Sequence, residues 1–298
     1  MKVLITGSSG LVGSSMVASL ASAGHHVIKL SRSTPTSPAE IQWSPDQGRL
    51  DAAALEGIDA AIHLAGESIA SGRWDEAKKA RIRDSRVKGT RLLAESLAAL
   101  ERPPRVIVSA SAVGYYGNRG DELLTEDSRP GKGFLADVCV EWESAMRPAI
   151  ERGIRVVILR IGVILSARGG ALARMIVPFK VGAGGKIGSG RQYMSWILLD
   201  DVVGAINHAL GVESLQGPVN AVAPSPVTNA EFTSALGRVL SRPTVFPLPA
   251  FAARLALGEM ADELLLAGAR VAPRKLVESG YAFKHDQLEA ALRAALQS

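Results

Sequence analysis

Lys2-Val3-Leu4-Ile5-Thr6-Gly7-Ser8-Ser9-Gly10-Leu11-Val12-Gly13 stands at the start of this 298-residue chain, and its reading decides the fold. Val3-Leu4-Ile5 is a β-rich run that stops at glycine. Gly10 to Ala23 then sets Leu11, Val12, Met16, Val17 and Leu20 at helical spacing, and Gly24 supplies a stop. His26-Val27-Ile28-Lys29-Leu30 reads as a second strand. A strand, a glycine turn, a helix and a strand within about thirty residues are the setting in which such glycines mark a dinucleotide pocket. The first glycine permits the tight turn. The second lets the main chain approach a pyrophosphate, and the third lets helix and strand pack closely. The free N–H groups and dipole of the helix start then favour phosphate. Thr6, Gly7, Ser9, Gly10, Leu11, Val12 and Gly13 are therefore candidate cofactor-binding residues.

The end of the second strand selects among dinucleotides. A carboxylate there would take the ribose 2′-hydroxyl of NAD(H). Ser31-Arg32-Ser33 offers instead a guanidinium between two hydroxyls, which matches a 2′-phosphate in a bidentate fork. NADP(H) is favoured over NAD(H), and Ser31, Arg32 and Ser33 join the cofactor set. Further on, His63-Leu64-Ala65-Gly66 follows another strand, and its small residues allow backbone to approach the cofactor's ribose and adenine side. His63 itself reads as a packed strand residue. No second histidine stands at ligand spacing, so no metal is expected.

Strand and helix keep alternating. Ala60 to Leu64, Arg105 to Ser109 and Arg155 to Arg160 read as strands, Asp75 to Leu100 as one or two charged helices, and Phe134 to Arg152 as a helix. This rhythm predicts an α/β fold, a Rossmann-type doubly wound parallel sheet with helices on both faces. From Gly162 the rhythm breaks into glycine-rich loops, and Ser241 to Pro249 carries three prolines. The expected organisation is a cofactor-binding Rossmann domain over residues 1–165, with segments near 195–225 returning to it. A mixed substrate-cleft region follows over 166–240, then a small, mostly helical C-terminal domain over 241–298.

Composition sets outer limits. With 47% hydrophobic and 21% charged residues the chain suits a soluble globular protein. The net charge is +5, but the basic residues are scattered rather than grouped, so no nucleic-acid partner is expected. Cys139, the single cysteine, excludes an intrachain disulfide. No leader pattern precedes the first strand and no apolar run reaches spanning length, so the expectation is a cytoplasmic protein without a membrane partner.

Several motifs carry a resemblance. The glycine turn, Ser109-Ala110-Ser111-Ala112-Val113-Gly114-Tyr115-Tyr116-Gly117 and Asp200-Asp201-Val202 resemble the extended, epimerase-like branch of the short-chain dehydrogenase/reductase superfamily. Ala65-Gly66-Glu67-Ser68-Ile69, Ser85-Arg86-Val87-Lys88-Gly89-Thr90 and Gly188-Ser189-Gly190-Arg191-Gln192 are similar to its YfcH-like subgroup. Gly258-Glu259-Met260-Ala261, Val271 to Leu276 and Gly280-Tyr281-Ala282-Phe283 resemble the small C-terminal domain of that subgroup. The resemblance implies a Rossmann fold and a nicotinamide cofactor, adding Leu64, Ala65, Gly66, Glu67 and Arg86 to the cofactor candidates. It implies no particular substrate.

The superfamily uses a Tyr-x-x-x-Lys pair on the helix after the serine strand, where spacing of four puts both groups on one face. This chain departs from that pattern: Leu135 stands in the tyrosine slot and Cys139 in the lysine slot. Ser111, Tyr115 and Tyr116 are the remaining catalytic candidates. Ser111 matches the substrate-orienting serine and is a candidate for holding a carbonyl; either tyrosine is a proton donor or an aromatic packed under the loop. Cys139 reads as a small buried apolar residue. Arg160, at the carboxyl end of a strand, either meets an anionic substrate or pairs with Asp200 or Asp201. Lys186, on a Gly184–Gly190 loop that either closes over substrate or is a surface hairpin, is a candidate cleft residue, as are Arg191 and Gln192, which follow that loop with Trp196.

Two functions fit. One is an NADP(H)-dependent oxidoreductase or epimerase acting on a small polar or carbonyl substrate. The other is a non-catalytic NADP(H)-binding regulatory or scaffold protein, of the kind linked to cell division. Either works as a monomer or homodimer.

Overall fold

A computed structural model describes residues 1–297. β1 (Lys2–Thr6) runs through the glycine turn into α1 (Leu11–Ser22) and returns as β2 (His26–Ser31). β3 (Glu40–Ser44), β4 (Arg49–Leu50) and β5 (Ala60–His63) come next. The charged stretch that follows is a single helix, α2 (Glu76–Ala98), started by the Asp75 side chain, which accepts from Lys78 N at 2.6 Å. β6 (Val106–Ala112) and a short β7 (Leu123–Leu124) lead to α3 (Phe134–Ser144) and α4 (Arg147–Glu151). The sequence reading had one helix there. Pro148, which lacks an N–H for a continuing helix, sits instead in the first turn of α4. β8 (Arg155–Ile161) closes the first half.

Beyond β8 lie β9 (Val163–Leu165), α5 (Gly170–Lys180), β10 (Tyr193–Met194) and β11 (Trp196–Leu198). Then come α6 (Leu199–Gly211), β12 (Gly217–Ala221), β13 (Val227–Thr228) and α7 (Asn229–Leu240). The tail holds α8 (Ala250–Leu257), a single turn α9 (Glu259–Ala261), a π-helical turn at Asp262–Leu266, β14 (Arg270–Val271), α10 (Arg274–Glu278) and α11 (Leu288–Gln297).

Eight strands form one sheet in the order β12-β8-β6-β5-β1-β2-β3-β4, parallel throughout except for the β3–β4 edge. Successive strand residues point to opposite faces, and the core divides accordingly. Val3 and Ile5 pack with Met16 and Leu20 of α1 and with Val202, Ala205 and Ile206 of α6. Leu4, between them, packs with Leu93, Ala94 and Leu97 of α2 and with Met146 and Ala149 near α4. Strand order reverses direction at β1, with β2 on one side and β5 on the other. That reversal opens a crevice beyond the carboxyl ends of the strands, where the glycine turn lies.

The remaining segments build a smaller lobe, helical in its C-terminal part. Its core joins Leu172, Ile176 and Phe179 of α5 to Phe232 and Leu236 of α7 and to Leu288 and Leu292 of α11. The Asp201 carboxylate on α6 holds the tail against the sheet domain: it accepts from Tyr281 OH at 2.9 Å and from the main-chain N–H of Lys284 at 2.8 Å.

Candidate functional site

The cavity at the strand reversal measures about 200 Å³ and is lined by Gly7, Gly10, Leu11, Val12, Gly13, Leu64, Ala110 and Ile161. Two glycines are required by geometry. Gly7 has φ 67°, and a β-carbon there would lie 2.7 Å from the Leu64 carbonyl oxygen. A β-carbon at Gly13 would overlap the Gly7 carbonyl, so any side chain would push α1 off the turn. Gly10 N donates to Gly7 O at 3.0 Å and starts α1 with no side-chain cap. The first-turn N–H groups therefore face the cavity without an internal acceptor. Ser9 is exposed on the same turn. The cradle that a β-carbon would fill, together with the uncapped helix start, fits a dinucleotide pyrophosphate.

Thr6 has a different task. Its Oγ1 accepts from the N–H groups of Leu64 (3.1 Å) and Ala65 (3.2 Å) and lies 2.8 Å from His63 Nδ1. His63 Nε2 in turn lies 2.8 Å from Thr90 Oγ1. Burial lowers the His63 pKa to about 4, so the ring is neutral and serves as a fixed strut. The Thr6 side chain, 0% exposed, thus sets the loop after β5.

Glu67 and Arg86 shape the same loop. Lys78 Nζ donates to Glu67 Oε1 at 2.6 Å and holds that carboxyl below its usual pKa. Arg86 Nη1 donates to the carbonyls of Glu67 and Ile82, both at 3.0 Å, and its guanidinium stacks 5.1 Å from the Trp142 ring. A β-carbon at Gly66 would lie 3.3 Å from Arg86 Cζ, so the loop rests directly on this arginine. Arg86 and Glu67 support Leu64, Ala65 and Gly66 from beneath. At the end of β2, Ser31 Oγ accepts from Ser33 N at 3.2 Å, while the Arg32 side chain is exposed and makes no hydrogen bond or close ion pair among the described residues, Glu67 being its nearby countercharge.

At the end of β6 lies a buried polar cluster. Ala110 lines the cavity, and Ser111, on the opposite sheet face, donates its hydroxyl to Glu143 Oε1 at 2.7 Å. The same carboxylate takes a two-point ion pair from Arg160, Nε to Oε1 at 2.9 Å and Nη2 to Oε2 at 2.8 Å. Arg160 is 3% exposed. Burial opposes its charge, but Glu143 outweighs that and keeps the guanidinium firmly ionised. Arg160 therefore pairs with Glu143 rather than with Asp200 or Asp201, and it does not open to an anionic substrate. Its Cζ lies 3.4 Å from the centre of the Tyr115 ring.

The two tyrosines separate here. Tyr116 is 0% exposed; its hydroxyl has two acceptors in reach, Asn220 Oδ1 at 2.7 Å and the Thr125 carbonyl at 3.0 Å, and accepts from Arg160 Nη1 at 3.0 Å. Burial raises its pKa. The Tyr116 hydroxyl is saturated inside the protein and belongs to the packing alternative. Tyr115 is half-buried, and no described residue takes its hydroxyl. Leu135 and Cys139 occupy the helix face opposite: both lie against Gly114, and Cys139 Sγ donates to the Ala112 carbonyl at 3.8 Å. Burial, with Glu143 adding to it, pushes the thiol up to about 11.

The later cleft candidates scatter. Gln192 Nε2 donates to the carbonyls of Ile187 (3.0 Å) and Leu265 (2.9 Å), tying two loops together. Lys186 and Arg191 keep exposed side chains. Gly188 N donates to Leu248 O and Leu248 N to Lys186 O, so the glycine loop is pinned to the C-terminal segment rather than free. Trp196, expected beside them, is fully buried in the lobe core, its Nε1 donating to Ser225 O at 2.9 Å. Sequence reasoning missed the partners that organise the cluster: Glu143, Asn220, and Glu126, whose Oε1 accepts from Asn220 N and Lys275 N at 3.1 Å each. Their contacts join residues as far apart as 149 positions, and no local pattern announces them.

Residues 3–220 match the model of the NAD dependent epimerase/dehydratase family. The chain belongs to this family. Residues 248–295 also match a domain of unknown function, DUF1731, so the family domain is followed by a recognised second module. An epimerase family protein of Mycobacterium bovis is 48% identical across 97% of this chain and 96% of its own length. The crystal structure of human epimerase family protein SDR39U1 with NADPH has a TM-score of 0.92 and 36% identity, covering 100% of this chain and 99% of that one. A nucleoside-diphosphate sugar epimerase from Corynebacterium glutamicum has a TM-score of 0.83 and 39% identity over 99% of this chain and 58% of its own.

Proposed function

We propose that the protein binds NADP(H) across the glycine turn and acts as an oxidoreductase or epimerase on a small polar or carbonyl substrate. The observation that carries the cofactor half is the exposed Arg32 guanidinium at the end of β2, where a carboxylate would read NAD(H). The human relative solved with NADPH supports it. Gly7, Gly10 and the first turn of α1 hold the pyrophosphate, Arg32 with Ser31 and Ser33 the 2′-phosphate, and Leu64 to Gly66 the ribose side. The bound cofactor supplies hydride transfer.

The proton chemistry falls to Tyr115, whose hydroxyl is free where that of Tyr116 is not. Ser111 already donates to an ionised carboxylate, so it receives a hydrogen bond from a substrate hydroxyl instead of giving one to a carbonyl. Arg160, stacked on the Tyr115 ring, and Glu143, holding both Arg160 and Ser111, fix this geometry. The Leu135 and Cys139 positions favour a second reading, a binding protein without turnover. Incubating protein and NADPH with a panel of aldehydes, quinones and nucleotide sugars, and following cofactor fluorescence, separates the two. Turnover that Tyr115→Phe abolishes supports the enzyme; tight NADPH binding without turnover of any compound supports the binding protein.

Arg32→Ala tests the cofactor assignment. It is expected to weaken NADPH about 10- to 100-fold, the value of a charge-assisted phosphate contact, with NADH nearly unchanged in a fluorescence titration. Equal losses for both dinucleotides would remove the 2′-phosphate role.

A further inference from the structure

The segment between β9 and α5 reaches back over the glycine turn. Arg168 Nη2 donates to Ser15 Oγ on α1 at 3.1 Å, a contact across 153 residues. Beside it, Gly169 and Gly170 lie against the Leu11 side chain: a β-carbon at Gly170 would be 3.4 Å from Leu11 Cδ2. Farther along α5, Arg174 Nη1 donates to the Ala70 carbonyl in the loop after β5. One short segment therefore touches α1 on one flank of the cavity and the β5 loop on the other.

Arg168 is held near that cavity yet left with capacity. Its guanidinium carries five N–H donors, and among the described residues Ser15 Oγ takes a single one. No carboxylate pairs with it among the described residues, and the side chain is exposed. Leu11, which its neighbours touch, is the first residue of the uncapped helix, so the segment that carries this cation runs beside the free N–H groups. The lining of the cavity itself contains no basic side chain.

We propose that Arg168 is a phosphate-binding residue of the dinucleotide site, supplied from outside the glycine turn, and that its guanidinium holds the pyrophosphate together with the first turn of α1. This rests on the reading that a dinucleotide binds there. Its chemical signature differs from that of Arg32. The pyrophosphate is common to NADPH and NADH, whereas the 2′-phosphate belongs to NADPH alone. Ser15 is the resting partner of Arg168 and takes no part in binding.

Equilibrium titration of the full chain with NADPH and with NADH tests this directly. Arg168→Ala is expected to weaken both by the same factor, about tenfold or more, as loss of a hydrogen-bonded charge does. Ser15→Ala keeps affinity within about twofold of wild type, as a surface change outside the contact does. Wild-type affinity of Arg168→Ala for both dinucleotides overturns the proposal. So does a loss confined to NADPH, or a Ser15→Ala loss as large as that of Arg168→Ala, which would make the pair a structural tie. Wild type binding NADH as tightly as NADPH would instead remove the Arg32 assignment, and the Arg168→Ala ratio, read with either dinucleotide, still decides for Arg168.

Discussion

A hydroxyl has one proton to give, and at the end of β6 the neighbours decide where each one goes. Ser111 gives its proton to Glu143, and Tyr116 shares its own between Asn220 and the Thr125 carbonyl. Tyr115 differs from Tyr116 only in surroundings, and this yields a paired expectation. Tyr116→Phe leaves Asn220 Oδ1 and an Arg160 N–H short of a partner and should cost about 1–3 kcal/mol, seen as a lower urea midpoint. Tyr115→Phe should leave that midpoint in place and lower turnover by roughly 100-fold or more, the usual scale of a lost general acid. His63 gives a pH expectation. Its folded pKa, about 4, lies below the ordinary histidine value of 6.5, so the unfolded chain binds the extra proton first. The stability from keeping the ring neutral is complete above pH 6.5 and is lost as pH falls towards 4, at up to about 1.4 kcal/mol per pH unit. Thermal melts between pH 7 and 5 should show that slope, and His63→Gln should flatten it.

At the scale of elements, legibility followed distance along the chain. β1, the glycine turn, α1 and β2 were readable because the residue pattern that marks them lies within one βαβ unit. β3 was harder: Ile41 and Trp43 alternate with Glu40 and Gln42, but five residues do not separate a strand from an extended loop. β12 contains Gly217 and Pro218, which argue against a central strand. It is a strand because it sits at the edge beside β8, where proline is tolerated. The cofactor turn was legible for the same local reason. Glu143 was visible only as a residue of α3, since its meaning depends on Arg160, 17 positions away and on another element. The start of α3 shows the limit most clearly. The Glu263 carboxylate accepts from the N–H groups of Phe134 and Leu135 at 3.2 Å each, an end cap delivered from 128–129 residues downstream. Glu263→Ala should therefore destabilise the protein by about 1 kcal/mol, the worth of an N-terminal cap. Circular dichroism in urea would register the loss; an unchanged midpoint would mean that water replaces the carboxylate without cost.

Across the whole molecule, the sheet domain and the later lobe are interleaved rather than strung in series. β12 is the fourth strand on its side of β1, yet it follows the whole of α5 and α6 in sequence. Asp201 on α6 then gathers Tyr281 and Lys284 of the tail, and Glu126 joins Asn220 to Lys275. The sheet is thus completed by chain that lies well beyond residue 165, although every residue lining the cavity precedes that point, which explains why a boundary at the end of β8 looks natural in sequence and divides a single sheet in space.

Pro218 gives β12 one further consequence. β8 is an apolar strand, Val156-Val157-Ile158-Leu159, and β12 lies along its open side. A fragment ending at residue 165 would bare that ladder of unpaired amides, a template for stacking one copy on the next. It should elute from a sizing column as aggregate where the full chain does not. The native outermost strand carries a proline, whose missing N–H breaks the row of donors an incoming strand would need. β12 therefore acts as a blunt end to the sheet, and what reads in sequence as a poor strand works in the fold as a guard against polymerisation.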